Sequence, residues 1–225
     1  MLAFFEPARW FANSKLLPLK AMAILIHIHP DNPPQRLINQ AVDCLKNGGI
    51  IVYPTDTIYG LGCSIYQHKA IEQIARIKNI DPQKAQLSFV CSNLSDLSKY
   101  ARQIDTPTYR LLKQFLPGAY TFILNASREV PKILQSKKAT IGLRIPNNKI
   151  ALAISETLGH PVLSASLPGE MVEEYTDPEI IKDRFDKLVD IVIDGGTGGM
   201  TPSTILDLTS GEPVLVRLGK GEWEE

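Results

Sequence analysis

Apolar and polar positions follow two alternating periods along the chain. Short β-branched or apolar runs at 23–28, 50–53, 87–91, 119–125, 139–145, 161–166 and 189–193 predict strands, several of them with no polar face. Between them, apolar residues recur at three- and four-residue spacing. Leu37, Ile38, Ala41, Val42 and Leu45 predict a helix over 34–47, and Ile71, Ile74 and Ala75 another over 69–78. Further helices are expected over 92–101, 106–115, 147–158 and from 177 to about 187, with a short helical piece at 129–135. Asn32 and Asp177 are candidate N-caps, Pro107 suits a first helical turn, and Gly48-Gly49 and Gly159 are stops. Residues 203–208 and 213–217 predict an antiparallel pair across the turn at 209–212, and 167–176 a surface loop. Strands that alternate with helices but include hairpins predict an α/β fold with a mixed sheet. No repeat or Pro/Ser-rich linker divides the chain, so a single domain is expected.

One stretch organises this pattern. Ile50-Ile51-Val52-Tyr53 runs into Pro54, which has no N–H for a ladder, and then into Thr55-Asp56-Thr57. Tyr59, Gly60 and Gly62 mark a loop that needs unusual backbone angles or a close approach. Short polar side chains at the C-terminal end of a buried strand stand where open α/β sheets hold ligands; a plain polar turn is the competing reading.

Composition narrows the class. In 225 residues, 24 basic side chains balance 24 acidic ones, which gives no support for a large polyanion-binding face but leaves room for a local basic pocket. Cys44, Cys63 and Cys91 form no CxxC or metal-ligand spacing and are expected as reduced, buried thiols of a cytoplasmic protein. No run approaches the roughly 20 apolar residues of a membrane span. His27 and His29 share a strand face, but no acidic or cysteine partner lies near in sequence, so no metal site is assigned. Residues 1–21 mix aromatic and basic side chains without the layout of a signal peptide. Met22 precedes the first strand, so 22–225 is taken as the domain and 1–21 as an extension outside it.

Several strand ends carry polar groups: Thr121, Arg144, Ser164 with Ser166, Ser203 with Thr204, and Arg217. An arginine between apolar strand residues needs an anionic partner if it is buried. That partner is either a structural carboxylate such as Asp207 or Glu212, or a ligand phosphate or carboxylate. Lys78 and Lys84 lie on a loop where solvation is the ordinary fate. Residues 195–199, Gly-Gly-Thr-Gly-Gly, lack the lysine of a P-loop and match a hinge or turn better than a phosphate cradle.

The run Pro54-Thr55-Asp56-Thr57-Ile58-Tyr59-Gly60-Leu61-Gly62 resembles the signature of the YrdC/YciO family. Further stretches follow in family order: Pro117-Gly118-Ala119-Tyr120-Thr121, Ile141-Gly142-Leu143-Arg144-Ile145-Pro146, Ser164-Ala165-Ser166, Pro202-Ser203-Thr204 and Arg217-Leu218-Gly219. The resemblance implies a YrdC-like domain, a twisted mixed parallel and antiparallel sheet with helices around a large concave cavity. It implies a threonylcarbamoyl-AMP synthase-like nucleotidyltransferase that condenses L-threonine, bicarbonate and ATP, with Mg2+, in tRNA modification. Thr55, Thr57, Tyr59 and Arg144 would serve threonine; Lys78, Thr121, Ser164, Ser166, Ser203, Thr204 and Arg217 would surround ATP, with Lys78 and Arg217 the catalytic cations.

The pattern departs from the family in two places. Lys78-Asn79-Ile80-Asp81 stands where the family has Lys-x-Arg, and Ser166-Leu167-Pro168 where it has Ser-Ala-Asn. With His29-Pro30-Asp31-Asn32-Pro33 and Ile181-Lys182-Asp183-Arg184, these point to the YciO branch. The alternative they imply is a paralogue that binds nucleotide, tRNA or double-stranded RNA, or slowly hydrolyses ATP, with little synthase activity.

Overall fold

The computed structural model describes residues 22–80, 87–134, 139–168 and 175–224. The extension at 1–21, Asp81, Lys84 and most of the loop expected at 167–176 lie outside them. Ten strands form one sheet: β1 (Ile24–His27), β2 (Ile51–Tyr53), β3 (Gly60–Ser64), β4 (Ser88–Val90), β5 (Tyr120–Asn125), β6 (Thr140–Arg144), β7 (Val162–Ser166), β8 (Ile191–Asp194), β9 (Thr204–Asp207) and β10 (Val214–Arg217). Their order is β1-β8-β2-β3-β7-β4-β6-β5-β9-β10. Parallel and antiparallel pairs alternate irregularly, so the sheet is mixed as the pattern predicts. The helices are α1 (Gln35–Lys46), α2 (His68–Lys78), α3 (Leu94–Tyr100), α4 (Thr106–Phe115), α5 (Lys149–Leu158) and α6 (Pro178–Phe185), and the piece expected at 129–135 is a 3-10 turn at Lys132–Leu134. None is long and apolar enough to cross a membrane.

Strand alternation divides the core into two layers. On β2 and the residue before it, Ile50 and Val52 face one layer with Ile71 and Ile74 of α2 and Ile181 and Phe185 of α6. Ile51 and Tyr53 face the other, with Ile38, Val42 and Leu45 of α1 and Ile150 and Ile154 of α5. A strand buried on both faces is what an unbroken apolar run encodes. Caps follow the sequence at Asp177, whose carboxylate accepts from Glu179 N, and at Gly159, which ends α5 at φ +80°. Asn32 is not a cap: α1 starts after Pro34 with no side-chain cap, and the turn before it is closed by His29 Nδ1 accepting from Asp31 and Asn32 N.

The main difference from the pattern is β3, expected as loop. It is a fully buried strand antiparallel to β2, Tyr53 opposite Gly60 and Ile51 opposite Gly62. Neither glycine has positive φ; close approach is what demands them. A Cβ on Gly62 would sit 2.8 Å from Tyr53 Cε1 and 2.9 Å from Val162 Cγ1. Glycine lowers strand propensity, so a strand that needs it is hidden from periodicity.

Candidate functional site

Cross-strand pairing sets Gly60, Ser166, Ser164, Ser88, Gly142, Arg144, Thr121 and Ile205 on the sheet face that, at its other end, α1 and α5 cover. Small side chains on that face leave depth. The result is a cavity of about 540 Å3. Among the described residues its basic lining residues are Lys78, Arg144 and Arg217, and no Asp or Glu lines it. The balanced charge of the whole chain therefore conceals a locally basic cavity.

Thr55, Thr57, Tyr59, Lys78, Thr121, Arg144, Ser164, Ser166, Ser203 and Arg217, all singled out in the sequence, line this one cavity. Thr204 does not. Its hydroxyl accepts from Gly219 N and donates to Gly221 O, so it fastens the C-terminal tail and has no exposed surface.

Arg144 is buried, as its apolar flanks predict, and its partner is Asp56, not Asp207 or Glu212. Nη2 donates to Asp56 Oδ1 at 2.7 Å and to Thr57 Oγ1 at 3.2 Å. The other Asp56 oxygen accepts from Asn147 N at 3.0 Å. Asp207 instead closes its own turn on Thr209. The hydroxyl directions follow. Thr55 Oγ1 donates to Ile58 O at 2.7 Å, so the 2.9 Å bond between Thr57 and Thr55 must run from Thr57. Both hydroxyl protons are committed inside the loop, and Thr57 is 1% exposed. These threonines hold the loop and aim Arg144. The Nε–H of Arg144 is buried and has no acceptor among the described residues.

Tyr59 serves the scaffold as well. Its hydroxyl donates to Gly196 O and accepts from Gly195 N, and burial raises its pKa to about 12. Gly195, Gly196 and Gly198 use their N–H groups on Tyr59, Asp194 and Thr176 O. The glycine-rich loop is thus a close-packed backing to the Thr55–Tyr59 turn, not an anion cradle: a Cβ on Gly199 would meet Thr57 O.

Lys78 and Arg217 have a different environment. Lys78 Nζ donates to Ser166 O at 2.7 Å and Ser166 Oγ at 3.1 Å, and burial lowers its pKa. Arg217 donates from Nη2 to Ser203 O at 2.7 Å and from Nε to the same oxygen at 3.2 Å. Desolvation, then the Arg144 charge, lower the Arg217 pKa. Among the described residues no carboxylate pairs with either cation. Arg217 was expected inside apolar neighbours, but β10 is the sheet edge and its Val214 and Val216 are exposed. A bulge between Leu215 and Arg217 brings both Val216 and Arg217 onto the cavity, which strict alternation forbids. Thr121 and Ser203 share a buried hydroxyl bond of 2.9 Å.

Asp56 stood in the Thr55-Asp56-Thr57 stretch but not as the partner of Arg144, and Lys220, whose Nζ donates to Asp56 O at 2.6 Å, was missed. Ser88 and Thr140, also missed, line the cavity and were visible only as members of the two-residue alternation along β4 and β6. Ile80 lines the cavity where a second basic group was sought, and Leu167 is buried in the core. None of the three cysteines is in a disulfide; Cys44 is half-buried and Cys63 and Cys91 are buried. His27 pairs with Asp194 at 2.7 Å. Among the described residues no group of His, Cys, Asp or Glu is placed to hold a metal ion.

Known proteins are similar to this chain in sequence and fold. A family model described as "Telomere recombination", for Sua5, YciO and YrdC, matches residues 43–219. The Escherichia coli protein YciO is 50% identical over 89% of this chain and 98% of its own. Its crystal structure superposes with a TM-score of 0.84 over the same shares at 49% identity. A threonylcarbamoyl-AMP synthase of Coxiella burnetii is 30% identical over 78% of this chain and 94% of its own. The crystal structure of Pyrococcus abyssi Sua5 complexed with L-threonine matches with a TM-score of 0.80 at 28% identity, over 88% of this chain and 58% of that one. The mixed sheet, the ordered strand-end residues and these likenesses agree: the chain belongs to the Sua5/YciO/YrdC family.

Proposed function

We propose that the protein is a threonylcarbamoyl-AMP synthase-like enzyme that condenses L-threonine, bicarbonate and ATP, serving tRNA modification in the cytoplasm. One observation carries this reading. A single cavity is lined by a buried arginine paired with Asp56 and, apart from it, by Lys78 and Arg217, whose partners among the described residues are neutral oxygens. The first suits an amino-acid carboxylate and the second a polyphosphate.

The threonine amine attacks bicarbonate carbon, and water leaves as the carbamate forms. A carbamate oxygen attacks the α-phosphorus of ATP, and the bond to pyrophosphate breaks. No protein nucleophile is needed. Arg144 holds the carboxylate, while Lys78 and Arg217 stabilise charge on phosphate oxygens, aided by the Thr121, Ser164, Ser166 and Ser203 hydroxyls. Magnesium enters with the phosphates as part of the substrate.

The test is pyrophosphate release with ATP, magnesium, bicarbonate and threonine. The expected outcome is release that needs threonine and is lost in Arg144→Ala. Release indifferent to threonine refutes the reading.

A second reading is favoured by Ile80 on the cavity wall and by the higher identity to YciO than to the named synthase. In it the cavity binds nucleotide, or hydrolyses ATP slowly, with RNA as a weak partner. It predicts ATP affinity without threonine-dependent turnover, and failure to support growth of cells that lack the authentic synthase.

A further inference from the structure

Tyr53 lies behind the cavity and touches no residue of the charged groups described above by hydrogen bond, yet its contacts determine what one cavity hydroxyl can do. Its ring crosses β3 from β2 to β7. Gly62 makes that crossing possible, since a Cβ there would stand 2.8 Å from Tyr53 Cε1, whereas one on Gly60 would make only an ordinary contact at 3.7 Å. At the far side the fully buried Tyr53 hydroxyl donates to Ser164 Oγ at 2.8 Å. Gly60 also leaves room for that Oγ, which would lie 3.2 Å from a Cβ there. Ser164 lines the cavity, and among the described residues its own O–H has no acceptor.

We infer that Tyr53 is a positioning residue that makes Ser164 a one-way donor, its oxygen occupied from behind and its proton turned into the cavity toward an acceptor such as a nucleotide phosphate oxygen. A serine alone can present either a proton or a lone pair. With Tyr53 donating to it, the lone pair facing the sheet is taken, and the hydrogen has only the cavity to point to. Burial supports the assignment, because it raises the Tyr53 pKa to about 12 and keeps the phenol protonated. Gly60 and Gly62 of β3 thereby gain a role in ligand recognition without touching the ligand.

The ligand in this inference rests on the function proposed above, so the experiment has one arm with nucleotide and one without. In the first, ATP affinity is measured by calorimetry for the wild type, Tyr53→Phe, Ser164→Ala and the double variant. Tyr53→Phe should weaken binding about fivefold, the worth of one neutral hydrogen bond, while adding it to Ser164→Ala should change nothing further. An equal loss in both backgrounds, or a loss in Ser164→Ala with none in Tyr53→Phe, overturns the proposal. In the second arm Ser164→Cys places a thiol at the same point, and its alkylation by iodoacetamide is followed against pH by mass spectrometry. A Tyr53 hydroxyl that donates to the thiolate lowers the thiol pKa, so adding Tyr53→Phe should move the profile about one unit to higher pH. An unmoved profile overturns the proposal. A protein that binds no ATP but shows this displacement fails the proposed function and leaves Tyr53 in its role.

Discussion

The corner built by Asp56, Thr57 and Arg144 and the wall built by Lys78 and Arg217 belong to one cavity but solve opposite problems. In the corner, charge is neutralised from within: Arg144 and Asp56 are both mostly buried and bonded at 2.7 Å, and the hydroxyls are committed to the loop. On the wall, among the described residues, Lys78 and Arg217 hydrogen-bond only to the oxygens of Ser166 and Ser203. A buried ion pair holds geometry, and breaking it leaves a charge stranded. A cation against neutral oxygens keeps its charge for something else. Stability should therefore depend on the corner and anion affinity on the wall.

Asp56→Asn gives the largest expected effect. It keeps the shape but leaves Arg144 without its counter-charge, at a cost of about 3–5 kcal/mol and a fall in melting temperature on the order of 10 °C. Arg217→Ala should change stability by no more than about 0.5 kcal/mol, because it removes a cation that already sits against Arg144. Equal melting temperatures for the two variants would erase the distinction. The reverse assay sharpens it. Arg217→Ala or Lys78→Ala should lower ATP affinity about 10- to 100-fold, with a weaker salt dependence than the wild type; unchanged affinity in both removes them from the site.

Acidity separates the wall further. Burial holds Lys78 below the ordinary 10.5 of lysine. Here the folded pKa is the lower one, so between it and 10.5 the unfolded chain binds more protons than the native protein. The penalty for burying the charge is fully present below that window and fades as pH rises through it, so this lysine's contribution to stability increases with pH there. ATP affinity moves the other way, falling through the same window as the ammonium is lost. Lys78→Arg should restore affinity at high pH and flatten the profile, since guanidinium stays charged. A wild-type profile flat up to 10.5, or an arginine variant with the same slope, contradicts this.

The wall was easier to read from the chain than the corner. Ser164 with Ser166 and Arg217 stood out because polar residues end apolar strands, and such ends gather on one side of a sheet. The two-residue period could also have yielded Ser88 and Thr140. The bond between Asp56 and Arg144 was not legible: the residues are 88 apart in the chain and meet only because sheet order brings β2 and β6 to one cavity. Asp207 and Glu212 stood as examples of a structural carboxylate, and Arg144 uses neither. Strand β3 was hidden by its glycines, and Gly62 is there to let Tyr53 cross it, a packing requirement that overrides propensity. Thr204 illustrates the opposite limit, since adjacency to Ser203 suggested a shared role and alternation turned its hydroxyl inward to the tail.

The smallest effect is expected where corner and tail touch. The tail is fixed by Lys220 N on Pro202 O, Gly219 N on Thr204 Oγ1 and Tyr120 Oη on Glu222 O. From it the exposed Lys220 ammonium reaches Asp56 O at 2.6 Å. An exposed bond of this kind contributes at most about 1 kcal/mol, so Lys220→Met should scarcely move the melting temperature. It should still be felt locally, because the bonded carbonyl belongs to the residue that neutralises Arg144. Amide hydrogen exchange at Thr57 and Ile58 is expected to quicken about threefold, with the β6 amides unchanged. If exchange quickens equally in both, Lys220 supports the sheet as a whole; if it quickens in neither, the corner is held by Arg144 and Asn147 alone, and its rigidity owes nothing to the tail.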